Sequence, residues 1–312
     1  MRIHVIDPIH ETAVALLKEK ADAVLWNDPS VDDWSEADAV IVRAAKVTRD
    51  QLADAPKLKV IGKHGIGVNA IDVDAATEKG ISVVYTPTGN VNSVAELAVG
   101  LMLHLARKLP QNMTALKEGD GKVGMPVLTG SELENKTLGL VGIGRISRRV
   151  AAILRGGFGM RVAGFDPYAP DQAFAEHGIT RFADIGDLLG NADFVSISVP
   201  YTDQTKNLIG APELARMKPT AILVNTSRGG IVNEKALYDA LSRGVILAAG
   251  SDVFETEPPA PDNPLLSLPN FAGTLHVGGS TEECLARVGT IVASDVLAVL
   301  DGREPLYPYK KP

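Results

Sequence analysis

Short runs of β-branched residues alternate with segments of helical periodicity along almost the whole chain. Residues 2–7, 39–43 and 58–62 have the pattern of buried strands, whereas residues 11–21 and 73–79 have apolar positions at helical spacing. Strands that alternate with helices in this way form βαβ units, which place the strands in a parallel sheet. The alternation therefore predicts an α/β fold.

The alternation is interrupted once, near the middle of the chain. Residues 93–117 have the pattern of one long helix with a break or kink at Pro110, because proline removes a backbone hydrogen bond. Residues 118–136 are Gly-rich, polar and without periodicity, which indicates a connector at a domain boundary. The alternation resumes at residue 137 and ends in a long helix over residues 281–300. With 312 residues, the chain is long enough for two medium-sized domains.

The composition excludes several classes of function. Lys and Arg number 31 against 38 Asp and Glu, and this net charge of −7 without a basic stripe argues against nucleic-acid binding. Cys284 is the single cysteine and cannot form an internal disulfide, which indicates a reducing compartment. The sequence contains no Cys pair and no H-E-x-x-H motif, so we predict no metal site. The N-terminus lacks a signal-peptide core and residues 97–106 are too short to cross a bilayer, so we predict a cytoplasmic protein without a membrane partner.

A glycine-rich turn follows the predicted strand at residues 137–141 and opens a predicted helix. Gly142 and Gly144 occupy the first two positions of the dinucleotide fingerprint G-x-G-x-x-G/A, where they permit a tight turn and a close approach of a pyrophosphate to backbone N–H groups. Ser147 occupies the third position, which normally lets the helix pack closely on the strand. Because serine is small, we expect a modest adjustment with cofactor binding retained.

Asp166 ends the next predicted strand. A carboxylate there can accept hydrogen bonds from both hydroxyls of an adenosine ribose, and it would repel a 2′-phosphate. Taken alone, Asp166 is also explained as a turn residue after a strand. Together with the fingerprint upstream, it predicts NAD rather than NADP as the cofactor.

Several separated motifs, in order along the chain, resemble those of one family. They are residues 65–72, residues 92–96, the turn at residues 142–147 with Asp166, N-x-x-R-G at residues 225–229, D-V-F-x-x-E-P at residues 252–258 and H-x-G-G-S at residues 276–280. The chain thereby resembles the D-isomer-specific 2-hydroxyacid dehydrogenases. Within that family, it is most similar to the phosphoglycerate dehydrogenase and hydroxypyruvate reductase branch.

The resemblance implies two Rossmann-like, doubly wound parallel-sheet domains with a cleft between them. A flavodoxin-like substrate-binding domain would comprise residues 1–98 and 285–312, and an NAD-binding domain would comprise residues 99–284. A cleft of this kind is where a small-molecule ligand is expected. The resemblance also implies a homodimer formed through the cofactor domain.

Reduction of a 2-oxoacid requires a hydride donor, a cation for the carboxylate and carbonyl, and a proton donor at the carbonyl oxygen. Arg228 follows a predicted strand end and has a fork that can bind a carboxylate, although alone it is equally explained as a surface residue in a turn. The resemblance implies that Arg228 is this cation, that His276 is the acid/base and that Glu257 orients the His276 ring. Taken alone, His276 is better explained as an ordinary histidine at a loop or helix start.

The resemblance also implies the ligand contacts, residue by residue. The backbone N–H groups of Gly65, Ile66 and Gly67 would hold the substrate carboxylate, since a pair of glycines permits a nest of N–H groups. Asp252 would lie near the nicotinamide carboxamide, and Pro200 would back the nicotinamide. An ordinary turn remains the alternative explanation for residues 65–67 and for Asp252. The other implied cofactor contacts are Gly142, Gly144, Arg145, Ile146, Asp166, Thr205, Thr226, Gly278 and Gly279.

Three positions beside these motifs have no assigned role. Lys63 and His64 precede the predicted carboxylate loop and would either touch the far end of the substrate or lie in a solvated loop. Ser198 lies two residues before Pro200, where many relatives have histidine. We interpret Ser198 as a change beside the cofactor rather than in contact with it.

Two further functions compete with an NAD-dependent D-2-hydroxyacid dehydrogenase. An NAD(H)-sensing corepressor of the same fold keeps the same three residues but carries terminal tails, whereas this chain ends soon after its closing helix. Formate dehydrogenase, a relative, pairs its histidine with glutamine, so Glu257 argues against it. The substrate stays open among 3-phosphoglycerate, glycerate or hydroxypyruvate, glyoxylate and a sulfolactate-like acid. Because only residues 301–312 follow the predicted closing helix, we expect no C-terminal regulatory domain and no feedback through one.

Overall fold

The computed structural model describes residues 1–119, 121–122 and 124–311 and separates into two compact units. Unit 1 consists of Met1–Asn90 and the chain from Gly279 onward, and unit 2 consists of Val91–Gly278. Residues 98 and 284, where we placed the boundaries from the sequence, both lie inside helices, and the units divide just before these helices begin. Asp120 and Val123 of the expected connector, like Pro312 of the expected substrate domain, lie outside the described residues.

The elements of the described residues follow the predicted alternation. The strands are β1 (Arg2–Val5), β2 (Asp22–Leu25), β3 (Ala39–Val42), β4 (Val60–Lys63), β5 (Ser82–Val84), β6 (Thr137–Val141), β7 (Arg161–Phe165), β8 (Thr180–Arg181), β9 (Phe194–Ile197), β10 (Ile222–Asn225), β11 (Ala248–Ser251) and β12 (Phe271–Gly273). The helices are α1 (Glu11–Lys20), α2 (Arg49–Ala53), α3 (Val73–Glu78), α4 (Val91–Ala106), α5 (Leu109–Glu118), α6 (Arg145–Phe158), α7 (Asp171–Glu176), α8 (Ile185–Asn191), α9 (Ala211–Arg216), α10 (Glu234–Ser242) and α11 (Glu282–Leu300), with short 3₁₀ turns at Pro126–Leu128 and Pro264–Ser267.

Unit 1 contains a five-stranded parallel sheet in the order β2-β1-β3-β4-β5. This is the flavodoxin-like order, in which ligands bind beyond the carboxyl ends of the strands. The central strands β3 and β4 are buried along their whole length, because helices cover both faces of the sheet. The loops that follow β3 and β4 therefore lie at the edge of the sheet where ligands are expected.

Unit 2 contains a seven-stranded parallel sheet in the order β12-β11-β10-β9-β6-β7-β8. The chain order reverses between β6 and β9, as in a Rossmann fold, so the crevice for a dinucleotide opens beyond these two strands. Strands β9, β10 and β11 are entirely buried, which explains why they have continuous apolar or small residues in the sequence. The α/β fold with two doubly wound parallel sheets is confirmed.

The break predicted at Pro110 in the helix over residues 93–117 is present but lies at residues 107–108, so the structure has two separate helices there. α4 ends at Ala106, and α5 begins at Leu109 after Lys108 adopts a left-handed conformation with φ of 49°. Pro110 lies in the first turn of α5, where its missing N–H leaves no hydrogen bond unmade. The proline therefore starts a helix instead of kinking one.

Four short elements were not predicted from the sequence. β2, α2, α7 and β8 are two to six residues long. β2, α2 and β8 each have at most one buried residue, so little apolar pattern marks them in the sequence.

Candidate active site

The turn between β6 and α6 depends on Gly142. Its φ of 82° lies in the left-handed region, and a Cβ there would lie 2.6 Å from the carbonyl oxygen of Ser198. The N–H of Gly142 donates to the carbonyl of Phe165 at 2.8 Å. Any larger residue at Gly142 would therefore displace the turn from the end of β9.

Helix α6 begins at this turn with an uncapped N-terminus. Gly144 is the N-cap residue, no side chain among the described residues caps the helix, and a Cβ at Gly144 would meet none of their atoms within 4 Å. The first-turn N–H groups, which include those of Arg145 and Ile146, lack intrahelical partners, and the 14-residue helix directs the positive end of its dipole to the same place. These groups fit the pyrophosphate of a dinucleotide. Ser147, the third fingerprint position, is fully buried, and its hydroxyl has no hydrogen-bond partner among the described residues.

Asp166 follows β7 and connects its end to the glycine turn. Its Oδ2 accepts a hydrogen bond from the N–H of Ile143 at 3.0 Å. Its Oδ1 accepts hydrogen bonds from the N–H groups of Tyr168 at 3.0 Å and Ala169 at 3.2 Å. A carboxylate has about four lone-pair sites, so acceptor capacity remains for a ribose hydroxyl. Asp166 thus shapes the turn in addition to the role expected from the sequence.

Buried hydroxyls without partners lie at the carboxyl ends of β9 and β10. Ser198 and Thr226 directly follow these strands, and neither hydroxyl oxygen has a partner in the part of the chain that the structure describes. A buried hydroxyl is costly when unpaired, and both lie at the edge of the sheet where a dinucleotide is expected. Thr205 differs, because its hydroxyl donates to the Pro200 carbonyl at 2.6 Å and accepts from the N–H of Thr202 at 2.8 Å, which fixes the loop after β9.

Arg228 lies in a turn that Asn225, the last residue of β10, holds in shape. The Asn225 side chain accepts from the N–H of Ser227 at 3.0 Å and donates to the carbonyl of Arg228 at 3.0 Å. The guanidinium of Arg228 donates to the Ser227 carbonyl at 2.6 Å. Its burial lowers the pKa of Arg228, and the charge of Glu257 opposes this shift. Arg228 is thus a half-buried cation with donors left for an anion.

His276 and Glu257 form a direct pair. The Nδ1 atom of His276 lies 2.9 Å from Oε2 of Glu257, and Oε1 of Glu257 accepts a hydrogen bond from the N–H of Phe254 at 3.1 Å. Both carboxylate oxygens are thus engaged, which fixes the side chain that orients the imidazole. His276 itself has a φ of 51°, a left-handed conformation that is uncommon outside glycine.

Asp252 holds the segment that carries His276. Its Oδ1 accepts hydrogen bonds from the Thr274 hydroxyl at 2.6 Å and the N–H of Val277 at 2.8 Å. Its Oδ2 accepts from the N–H of Gly278 at 2.8 Å, and its own carbonyl accepts from the N–H of His276 at 2.8 Å. Asp252 is 2% exposed, so these hydrogen bonds stabilise a buried charge. The unusual backbone of His276 is fixed by the residues on both sides of it.

A cavity of about 270 Å³ lies beside the His276–Glu257 pair. Its other lining residues are Phe254, Pro258, Pro259 and Leu275, so its walls are apolar apart from the pair. A small organic acid could reach the imidazole from this side.

The predicted carboxylate loop belongs to unit 1. The N–H of Gly65 already donates to the Thr86 hydroxyl at 2.9 Å, and Gly65 has a φ of 137°, which disfavours any other residue. Among the described residues, the N–H groups of Ile66 and Gly67 donate no hydrogen bond. Two of the three N–H groups named from the sequence are therefore left for a ligand.

The structure excludes a solvated loop at Lys63 and His64. Both are buried, and the Lys63 ammonium donates to the Arg43 carbonyl. Burial, together with the charges of Arg43 and Lys63, lowers the pKa of His64 to about 4, and its Nε2 has no partner among the described residues. At neutral pH the His64 imidazole is therefore uncharged.

Sequence reasoning missed two supporting residues. Thr86 binds the loop at Gly65, and Phe254 supplies the N–H that holds Glu257. No motif marks Thr86, since it only precedes a proline after a strand. Of the residues predicted for the site, Gly65, Ile66, Gly67 and Gly279 belong to unit 1 and the others to unit 2.

No helix among the described residues combines the length and the apolar composition needed to cross a membrane. No group of three or more His, Cys, Asp or Glu side chains in the same residues is arranged to hold a metal ion.

Known proteins resemble the chain in sequence and in structure. The family model described as "D-isomer specific 2-hydroxyacid dehydrogenase, NAD binding domain" matches residues 99–278. A D-3-phosphoglycerate dehydrogenase of Methanocaldococcus jannaschii is 46% identical over 307 residues, which cover 97% of this chain and 58% of that protein. A hydroxypyruvate reductase of Thermotoga maritima is 41% identical and is covered to 94%, with 92% of this chain matched.

A solved structure extends the similarity to the whole fold. The crystal structure of a Thermus thermophilus protein superposes with a TM-score of 0.90 at 33% identity, covering 99% of this chain and all of the other. The chain spans little more than half the length of the phosphoglycerate dehydrogenase relative, but nearly the full length of the hydroxypyruvate reductase.

Proposed function

The chain belongs to the D-isomer-specific 2-hydroxyacid dehydrogenase family, and from this premise we propose that it interconverts a small 2-oxoacid and its D-2-hydroxyacid with NAD. The observation that carries the proposal is the 2.9 Å pair between His276 and Glu257, in the same unit as the half-buried Arg228. NADH, when bound, supplies the hydride that adds to the carbonyl carbon. The uncapped N-terminus of α6 and the carboxylate of Asp166 would hold its pyrophosphate and ribose.

His276 provides the proton. Because Glu257 accepts the Nδ1–H, the other ring nitrogen, Nε2, is the atom that donates the proton to the carbonyl oxygen during reduction. The imidazolium becomes neutral imidazole as its Nε2–H bond breaks and the O–H bond of the hydroxyacid forms. In the oxidative direction neutral Nε2 accepts the alcohol proton. Glu257 keeps the ring in one orientation.

Arg228 and the loop at residues 65–67 bind the substrate. The guanidinium of Arg228 can bind the carboxylate and polarise the adjacent carbonyl, and its partial burial strengthens both interactions. In unit 1, the N–H groups of Ile66 and Gly67, which donate no hydrogen bond among the described residues, can likewise recognise a carboxylate. Asp252 acts by holding the His276 segment, and Thr205 by holding the loop at Pro200.

The substrate class follows from the relatives' names and from the site. The relatives include a phosphoglycerate dehydrogenase, a hydroxypyruvate reductase and a glyoxylate reductase, which share a 2-oxoacid or 2-hydroxyacid head group. Arg228 and the N–H groups of the loop recognise that head group whatever the tail. We propose hydroxypyruvate, glyoxylate, phosphohydroxypyruvate and sulfopyruvate as the acids to compare.

The decisive experiment is the oxidation of NADH and NADPH at neutral pH with each of these four acids. We expect turnover with NADH, and a D-configured product by chiral chromatography. The His276→Asn variant should lose activity by about 10²-fold or more while binding NADH normally. His177→Asn, at the end of α7, is the matched control and should stay active. Absence of turnover with all four acids in the wild-type protein would reject the proposal.

We also propose that the protein is a cytoplasmic homodimer. α5 has no buried residue, and Leu116 on it is 80% exposed, next to exposed Leu109 and Met113. An apolar face of this kind indicates a protein interface. Sedimentation should give a dimer mass for the wild type and a monomer mass for Leu116→Asp, and a wild-type monomer would contradict the proposal.

A further inference from the structure

We propose that Thr86 and the C-terminal segment at residues 306–307 are positioning elements for the carboxylate loop at residues 65–67; the inference rests on the function proposed above. Thr86 is fully buried and pairs reciprocally with Gly65. The N–H of Gly65 donates to the Thr86 hydroxyl at 2.9 Å, and the N–H of Thr86 donates to the Gly65 carbonyl at 2.9 Å. Both polar groups of the Gly65 backbone are thus fixed by one residue.

This pairing determines which N–H groups of the loop can bind a ligand. With the Gly65 N–H committed to Thr86, the N–H groups of Ile66 and Gly67 are the donors left in the loop. Gly65 has a φ of 137° and, as a glycine, can also adopt many other backbone conformations, so the contacts with Thr86 select this one. Loss of the Thr86 hydroxyl would therefore let the loop relax and would disperse the donors that bind the carboxylate.

The segment around Thr86 is itself held by the C-terminal part of the chain. Tyr85 donates its N–H to the Tyr307 carbonyl at 3.2 Å, and the Thr88 hydroxyl donates to the Tyr307 phenol oxygen at 3.2 Å. These contacts lie on either side of Thr86. The position of Thr86 therefore depends on the position of Tyr307.

Asp295 of α11 fixes Tyr307 in turn. Its Oδ1 accepts from the N–H of Leu306 at 2.8 Å and its Oδ2 from the N–H of Tyr307 at 2.9 Å, and the residue is only 4% exposed. A buried carboxylate with both oxygens paired holds a backbone segment firmly. A continuous set of hydrogen bonds therefore leads from α11, through the C-terminal segment and Thr86, to the loop.

The test compares Thr86→Val, which keeps the shape and removes the hydroxyl, with Thr86→Ser, which restores it. We expect the KM for the 2-oxoacid to rise about tenfold in Thr86→Val, with kcat and the NADH Kd changed less than about threefold, and to return to the wild-type value in Thr86→Ser. A purely structural role would raise the KM and the NADH Kd together, or would lower the amount of folded enzyme without changing the KM. Either result would overturn the proposal.

Asp295→Asn perturbs the same loop from the other end of this set of hydrogen bonds. The amide keeps one acceptor and loses the other, so the KM for the oxoacid should rise several-fold. Asp301→Asn is the matched control, because Asp301 is an exposed carboxylate at the end of the same helix and pairs only with Arg303 in the described residues. An equal KM in both variants would contradict the coupling through the C-terminal segment.

Hydrogen–deuterium exchange does not depend on catalytic turnover, so it distinguishes this inference from the proposed function. Deuterium uptake of the peptide around Gly65 should be slow in the wild type and faster in Thr86→Val and Asp295→Asn. If the wild type turns over no oxoacid but uptake rises as expected, the proposed function fails and the positioning role stands. If the wild type is active but both uptake and KM are unchanged in Thr86→Val, the positioning role fails alone.

Discussion

Replacement of Arg228 by Gln should abolish most of the activity without weakening the fold. The guanidinium uses one donor on the Ser227 carbonyl, and in the described residues no carboxylate forms an ion pair with it. The pKa of Arg228 is lowered by burial, which means that its charge is held in the folded protein at a cost. Glutamine, a neutral residue of similar length, removes this cost and also removes the cation that would bind the substrate.

The expected size of the effect follows from the hydrogen bonds available. A guanidinium with one donor already used can still form a bidentate contact with a carboxylate. Each hydrogen bond to a charged group contributes roughly 1.5–3 kcal/mol. Two such bonds amount to roughly 3–6 kcal/mol, which corresponds to a loss of about 10²- to 10⁴-fold in kcat/KM. Arg228→Lys keeps the charge and loses the fork, so its loss should be smaller, about tenfold.

The assay measures kcat/KM for the best oxoacid, the NADH Kd by fluorescence and the melting temperature of each variant. We expect Arg228→Gln to bind NADH normally and to melt at or above the wild-type temperature. A decrease in kcat/KM of less than about fivefold would refute the assigned role. A decrease that is accompanied by weaker NADH binding and a lower melting temperature would show that Arg228 supports the structure rather than the substrate.

Three other substitutions test the surroundings of the site. Ser147→Ala removes a buried hydroxyl without a partner in the described residues, so the melting temperature should rise by about 2–4 °C with an unchanged NADH Kd; a decrease would mean that the hydroxyl is paired. Asp252→Asn replaces one of the two oxygens that accept from the N–H groups of Val277 and Gly278 by an NH₂ donor, so thermal unfolding should show a loss of roughly 1–3 kcal/mol together with lower kcat, and wild-type stability would contradict this. Burial lowers the pKa of His64 to about 4, below the usual 6.5, so the unfolded chain binds that proton more tightly. The stability that His64 contributes, about 3 kcal/mol, is present above pH 6.5 and is lost as the pH falls to 4, and urea titrations of His64→Leu should show a flatter pH dependence than the wild type.

The sequence predicted the architecture because both sheets are parallel and covered on both faces. Strands such as β10 and β11 are buried along their whole length, so their composition is constrained at every position and visible without a structure. The glycine turn at Gly142 is visible for a similar reason, since its φ of 82° and its close approach to Ser198 permit only one residue type. Local constraints of this kind leave a local pattern.

The break between α4 and α5 shows where local patterns mislead. Pro110 is the strongest breaker in the segment, and the expected interruption was placed there. The left-handed residue is Lys108, which nothing in the sequence distinguishes from any other lysine in a helix. Pro110 instead occupies the first turn of the next helix, where its effect is to start the helix.

The candidate site shows the same difference between residues that a local pattern marks and residues that it does not. His276, Glu257 and Arg228 are recognisable in the sequence through the family motifs that contain them, whereas the residues that position them act through contacts distant in sequence. Asp252 was expected near the nicotinamide from the resemblance, yet its side chain is bonded to the segment that carries His276. Because each Asp252 oxygen already accepts from that segment, its substitution should change the proton transfer before it changes cofactor affinity. A lower kcat with an unchanged NADH Kd in Asp252→Asn would therefore assign it to the acid/base, and the reverse pattern would return it to the nicotinamide.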